Sequence, residues 1–144
     1  MKKKIHIING VNLNLLGQRE TEIYGDIPFD TFLEQLRKAF PDVEIVFFQS
    51  NIEGEIVSCL QNVDKKTDGI ILNAGGFSHT SVAIRDAVAA IKTPVVEVHI
   101  SNLMKRENFR HNSLITAVCK GFISGFGFDS YTLSINYFLL SSQL

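Results

Sequence analysis

Gly69–Ile91 reads GIILNAGGFSHTSVAIRDAVAAI. Gly69 to Leu72 is a short run with no polar position, which predicts a strand buried on both faces. It ends at Asn73. Ala74-Gly75-Gly76-Phe77-Ser78 then makes a glycine-rich loop. Beyond it, Ile84, Ala87, Val88 and Ile91 recur at the spacing of a helix core face. A buried strand, a polar loop and an amphipathic helix form one βα unit, and the same unit can be traced in both directions.

Upstream, Lys4–Asn9 (KIHIIN) predicts the first strand and Val43–Phe48 (VEIVFF) the second. Between them Pro28 opens a helix whose inner face is Phe29, Phe32, Leu33, Leu36 and Phe40. Asp26 and Asp30 suit its positive end, and Pro41 helps stop it. Ile52, Ile56, Leu60 and Val63 mark the next helix. Downstream, Pro94–Val98 leads into His99 as a fourth strand, and Gly121–Ser124 (GFIS) is a fifth. Tyr131, Ile135 and Phe138 mark the inner face of a last helix. Short β-branched strands alternating with helices predict an α/β fold with a parallel sheet covered on both faces. Right-handed crossovers favour a flavodoxin-like, doubly wound, five-stranded sheet in the order 2-1-3-4-5. Residues 1–144 read as one such domain. A ligand is then expected beyond the carboxyl ends of the strands, where strands one and three diverge.

The bulk numbers exclude several classes. A formal charge of −1 suggests neither a nucleic-acid partner nor an anionic membrane surface. No apolar run approaches the ~20 residues of a membrane span, and Lys2–Lys4 precede only a short strand, so no signal peptide is expected. Cys59 and Cys119 lie far apart in apolar surroundings, which fits a reducing compartment. A cytoplasmic location is expected. Cys and His show no metal-ligand spacing, and neither a metal nor an organic cofactor is expected.

Polar residues gather at the predicted strand ends. Asn9 and Asn12 follow strand one; Asn73 ends strand three, with His79 just beyond. Glu97, His99 and Ser101 straddle the end of strand four. Glu97 and His99 are two apart and so share a face, which suits a carboxylate orienting an imidazole. The stretch from Ile7 to Gly25, IINGVNLNLLGQRETEIYG, is too long for a strand-to-helix turn of two to six residues. It reads as a lid, about residues 17–25, that brings Arg19 and Tyr24 over the pocket. Each alone reads as a solvated charge or a packing anchor. Together they suggest a cation favouring a phenolate. His6, at the opposite strand end, reads as structural. Ser78, Thr80 and Ser81 suit a helix cap. Asp86 lies seven residues past His79, about two helical turns, and Arg106 and Arg110 would share a face if their segment were helical. The Gly75-Gly76 loop is neither a Walker motif nor GxGxxG, so a phosphate cradle has weak support.

NGVNLNLLGQRETEIYG, FFQSNIEGEIV, ILNAGGFSHTSVAIRDAV, VEVHISN and ENFRHNS, in this order, resemble type II 3-dehydroquinate dehydratase over nearly the whole chain. The resemblance implies dehydration of 3-dehydroquinate to 3-dehydroshikimate on the shikimate pathway, without a cofactor. It implies Tyr24 as the base, Arg19 holding it as phenolate, His99 as the acid oriented by Glu97, and Asn12 placing a water near the enolate. It further implies that Asn73, Ser101 and the Ile100 backbone hold the substrate carboxylate, and that His79 and Arg110 bind ring hydroxyls. Asp86 would reach a neighbouring subunit's site in a dodecamer of four trimers. Departures from the family pattern are Val11 for a usual Pro, Ala74-Gly75-Gly76 for Pro-Gly-Ala, Phe77 for Tyr, Ile52 for His and Asn112 for a second His. None removes a residue expected to do chemistry. A flavodoxin-like binding module using the same switch point is the competing reading, and bound flavin without turnover would mark it.

Overall fold

The structure is a computed structural model that describes residues 2–141. Its centre is a parallel sheet of β1 (Lys3–Asn9), β2 (Val43–Gln49), β3 (Gly69–Asn73), β4 (Val95–His99) and β5 (Gly121–Ser124), in the order β2-β1-β3-β4-β5. This is the order expected from the alternation of strands and helices. The helices are α1 (Thr21–Tyr24), α2 (Phe29–Ala39), α3 (Glu53–Val63), α4 (Val82–Ala90) and α5 (Asp129–Ser141).

The side-chain period of two splits the strands between two cores. On one face Ile5, Ile7, Ile71, Val96 and Val98 pack against Phe29, Phe32, Leu33 and Leu36 of α2 and Tyr131, Ile135 and Phe138 of α5. On the other, Ile8, Ile70, Leu72 and Val95 meet Ile56 and Leu60 of α3 and Ile84, Ala87 and Val88 of α4. A fully buried aliphatic side chain contributes about 1.5–3 kcal/mol, so both faces are strongly held. Pro28 stands at the N-cap of α2, with Asp30 in its first turn and Arg37 and Lys38 in its last. The charges at both ends match the helix dipole.

Ile52 is a correction to the helix pattern. It caps α3 and is 57% exposed, while Ile56 and Leu60 are fully buried. The Ser101–Asn112 connection holds two separate 3-10 turns, Leu103–Lys105 and Asn108–Arg110, and no continuous helix, so the condition under which Arg106 and Arg110 would share a helical face is not met. Among the described residues, no helix is long and apolar enough to cross a membrane.

The two glycine loops have a shared cause. A Cβ on Gly10 would lie 2.4 Å from the Ala74 carbonyl oxygen, and one on Gly75 would lie 2.7 Å from that of Val11. The chain leaving β1 therefore presses directly on the chain leaving β3. Gly75 also holds φ +63°, which glycine adopts without steric cost. Close backbone approach, and not a phosphate cradle, accounts for these glycines. The contact brings the ends of β1 and β3 together as one rim.

Candidate active site

Above that rim lies a cavity of about 180 Å³. Its walls include Asn12, Arg19 and Tyr24 from the first loop, Asn73 and His79 from β3 and its loop, His99, Ile100 and Ser101 from the end of β4, and Arg106 and Arg110. The ends of β3 and β4 and the long loop leaving β1 thus converge, as the switch-point rule predicts. The volume falls below the roughly 300–1,000 Å³ of drug-sized sites, so it suits a small ring better than a flavin or nucleotide.

The long loop is ordered by its own chemistry. Asn12 takes φ 67°, a left-handed conformation that asparagine tolerates, and its backbone N–H donates to Asn51 Oδ1 at 2.9 Å. Leu13 and Leu16 are buried in the α2 side of the core. The far half closes as the single helical turn α1, with Glu20 at φ 47° before it and Gly25 at φ 82° after it. Tyr24, the last residue of α1, packs its ring on the core margin and turns its hydroxyl to the cavity region.

The cation on that hydroxyl is Arg106. Its Nη1 donates to the Tyr24 hydroxyl at 3.0 Å, and its guanidinium carbon stands 5.5 Å from the Tyr24 ring centroid. The same nitrogen donates to Ser101 Oγ at 3.0 Å. Arg19, which the sequence reading paired with Tyr24, ion-pairs with Glu20 at 3.3 Å and is 44% exposed. Arg106 was legible only as one of two arginines in a long connection; eighty-two positions separate it from Tyr24, so no local pattern links them.

Glu97 and His99 meet as expected. His99 Nε2 donates to Glu97 Oε2 at 2.6 Å. Ser113 Oγ donates to the same oxygen at 2.7 Å and Thr116 Oγ1 to Oε1 at 2.5 Å. Burial alone would push the Glu97 carboxyl up, but the His99 bond and charge and the two hydroxyls outweigh it and hold it below the usual carboxylate range. Glu97 is fully buried. An ionised carboxylate there must accept from His99, which makes Nε2 the donor and leaves Nδ1 to exchange a proton. The neighbouring Cys119 thiol is pushed up to about 12 by burial and by the Glu97 charge, which leaves it an inert thiol at neutral pH.

The Glu97 shift has a sign that can be tested. Its folded value lies below its unfolded one, so its contribution is full above the ordinary carboxylate range. The contribution is lost as pH falls through the lowered value. Glu97→Gln is therefore expected to flatten the acid side of a Tm-against-pH curve, from the ordinary carboxylate range downward. Parallel curves for the two proteins would contradict the assignment.

His79 stacks beside His99, ring centroids 6.1 Å apart, and its Nδ1 donates to the Asn112 carbonyl at 2.9 Å. That partner is backbone, so the bond does not depend on the Asn112 side chain. Asn73 is buried, with Nδ2 donating to the Tyr131 hydroxyl at 2.9 Å and Oδ1 accepting from the Gly75 N–H at 3.2 Å. The Ile100 carbonyl accepts from the Gly127 N–H. Arg110 pairs with Glu107 and lies over the Phe109 ring. Two expected site residues lie outside the cavity wall: Glu97, buried behind His99, and Asp86. Asp86 is 65% exposed and paired with Arg85. His79 sits in the 3-10 turn Gly75–His79 and not in α4, so the two-turn spacing does not align it with Asp86. Among the described residues no group of His, Cys, Asp and Glu could hold a metal ion.

The family model described as dehydroquinase class II matches residues 3–139. A 3-dehydroquinate dehydratase from an Exiguobacterium species is 52% identical over 134 residues, covering 92% of each chain. One from Bacillus licheniformis is 51% identical over 138 residues, covering 94% of each. Among solved structures, a type II dehydroquinase from Butyrivibrio crossotus superposes with a TM-score of 0.92 at 40% identity, covering 95% of this chain and 97% of that one.

Proposed function

The chain belongs to the class II dehydroquinase family, and we propose that it removes water from 3-dehydroquinate to give 3-dehydroshikimate, with Tyr24 as base and His99 as acid. The observation that carries the mechanism is the shared cavity. It has a cation-held tyrosine on its lid side and a carboxylate-held histidine at the sheet.

The reaction needs a proton taken from the carbon beside a ketone and a hydroxyl lost from the next carbon. The Tyr24 phenolate takes the proton, and the C–H electron pair moves to the ketone oxygen as an enolate. The enolate then re-forms the ketone as the C–O bond breaks, and His99 gives its Nδ1 proton to the departing hydroxyl, which leaves as water. A simple phenol titrates near 10, so about one part in a thousand is phenolate at pH 7, a deficit of about 4 kcal/mol. Half-buried Arg106 donates to the Tyr24 hydroxyl and places a cation beside it. Arg19 adds charge from the same wall but is more exposed and already paired with Glu20.

Asn12 on the rim is the candidate for holding a water near the enolate. Asn73, Ser101 and the backbone at Ile100 are assigned to the substrate carboxylate, and His79 and Arg110 to its hydroxyls. All six line the cavity. The assembly proposed is a dodecamer of four trimers. Asp86, exposed and away from its own cavity, would serve a neighbouring subunit's site.

Mixing the protein with 3-dehydroquinate should raise the ultraviolet absorbance of a conjugated enone. No rise from folded protein would overturn the activity. Turnover should also survive borohydride in the presence of substrate, because no lysine forms a Schiff base in this scheme.

A further inference from the structure

The hydrogen-bond chain behind Asn73 is not used by the mechanism. Asn9 and Asn73 are register partners at the ends of adjacent strands, so their side chains leave the sheet on the same face. Between them stands the hydroxyl of Tyr131, from α5, fully buried. Tyr131 donates to Asn9 Oδ1 at 2.8 Å and accepts from Asn73 Nδ2 at 2.9 Å.

The direction of this chain is set at one end. The Gly75 N–H donates to Asn73 Oδ1 at 3.2 Å. An N–H can only donate, so that side of the Asn73 amide must be its oxygen. The amide nitrogen then faces Tyr131, and the single phenolic proton is forced onto Asn9. The far end carries the consequence: Asn9 Nδ2 is buried with no partner among the described residues. An unpaired buried donor is costly, and turning the Asn9 amide over would put its N–H against the Tyr131 oxygen. That alternative is shut only while Tyr131 must give its proton to Asn9. Burial pushes the Tyr131 phenol well above its ordinary value, against smaller opposing effects from Asn73 and Asn9, so the hydroxyl keeps its proton at any working pH.

We infer that Tyr131 and Asn9 are positioning residues that lock the Asn73 amide, so that its remaining N–H is presented to an acceptor group of the ligand. Asn73 has two amide protons, and Tyr131 takes one. A locked Asn73 favours an anionic or carbonyl oxygen over a hydroxyl donor at that point of the cavity wall. The inference rests on the proposed dehydratase reading for its ligand, a carboxylate-bearing substrate.

The test is a double-mutant cycle on turnover of 3-dehydroquinate. Tyr131→Phe should raise KM about five- to tenfold and leave kcat within about twofold, since the lock acts on binding through a neutral hydrogen bond. In an Asn73→Ala background the same substitution should leave KM unchanged, because nothing remains to be locked. An equal rise in both backgrounds would mean a general structural effect and overturn the inference. So would an unchanged KM in the first. Asn9→Ala is the second variant should Tyr131→Phe fold poorly, with the same expectations. Wild-type turnover is measured first, so loss of the functional reading is seen separately. The lock has its own readout even then. The Asn73 side-chain amide should give a slowly exchanging pair of NMR signals, lost in Tyr131→Phe; a rapidly exchanging pair in the wild type would overturn it.

Discussion

Tyr24→Phe is expected to lower kcat by about 10³- to 10⁴-fold with little change in substrate affinity. General acid–base groups contribute about 10²- to 10⁴-fold, and a base acting on carbon has no stand-in here. The substitution keeps the aromatic ring, which packs on the margin of the α2 core. It removes only the hydroxyl that Arg106 contacts. Steady-state kinetics together with calorimetric titration of substrate would separate the two quantities. Turnover within tenfold of wild type would exclude Tyr24 as the base. Loss of affinity in step with rate would point instead to a binding role.

Arg106→Ala is expected to lower kcat by about 10²- to 10³-fold. Its guanidinium donates to the hydroxyl proposed as base, and the substitution leaves that oxygen without its cation. KM should rise as well, because the same nitrogen holds the Ser101 hydroxyl. Arg19→Ala is the comparison that gives this prediction its edge. Arg19 is exposed and engaged with Glu20, so its loss should cost less. A larger effect at Arg19 than at Arg106 would show that Arg19 replaces Arg106 on the phenol when substrate is bound.

The scaffold was legible because its signals are local. The apolar runs at Ile70–Leu72 and Val95–Val98 and the stripe Phe29, Phe32, Leu33 and Leu36 each declare a strand or a helix face from neighbouring residues. Their alternation leaves few topologies, and the observed strand order is among the first expected. The Glu97–His99 pair was legible for the same reason, since two positions in one strand share a face. The pairing of Arg106 with Tyr24 was not. Nor were the hydroxyls of Ser113 and Thr116 on Glu97, or the Asn9–Tyr131–Asn73 chain. Each joins elements far apart in sequence.

By itself, then, the sequence determined the alternation of strands and helices, the glycines at the rim, and the polar residues at the strand ends. Period, propensity and turn chemistry act over a few residues and leave their mark there. Only the tertiary structure decided which arginine touches the tyrosine, what holds Glu97 ionised in a fully buried place, and which way the Asn73 amide points. Hydrogen bonds between side chains depend on distances of a few ångströms between elements. Those distances are set by how α5, the lid and the long Ser101–Asn112 connection pack over the sheet, and no spacing along the chain encodes them.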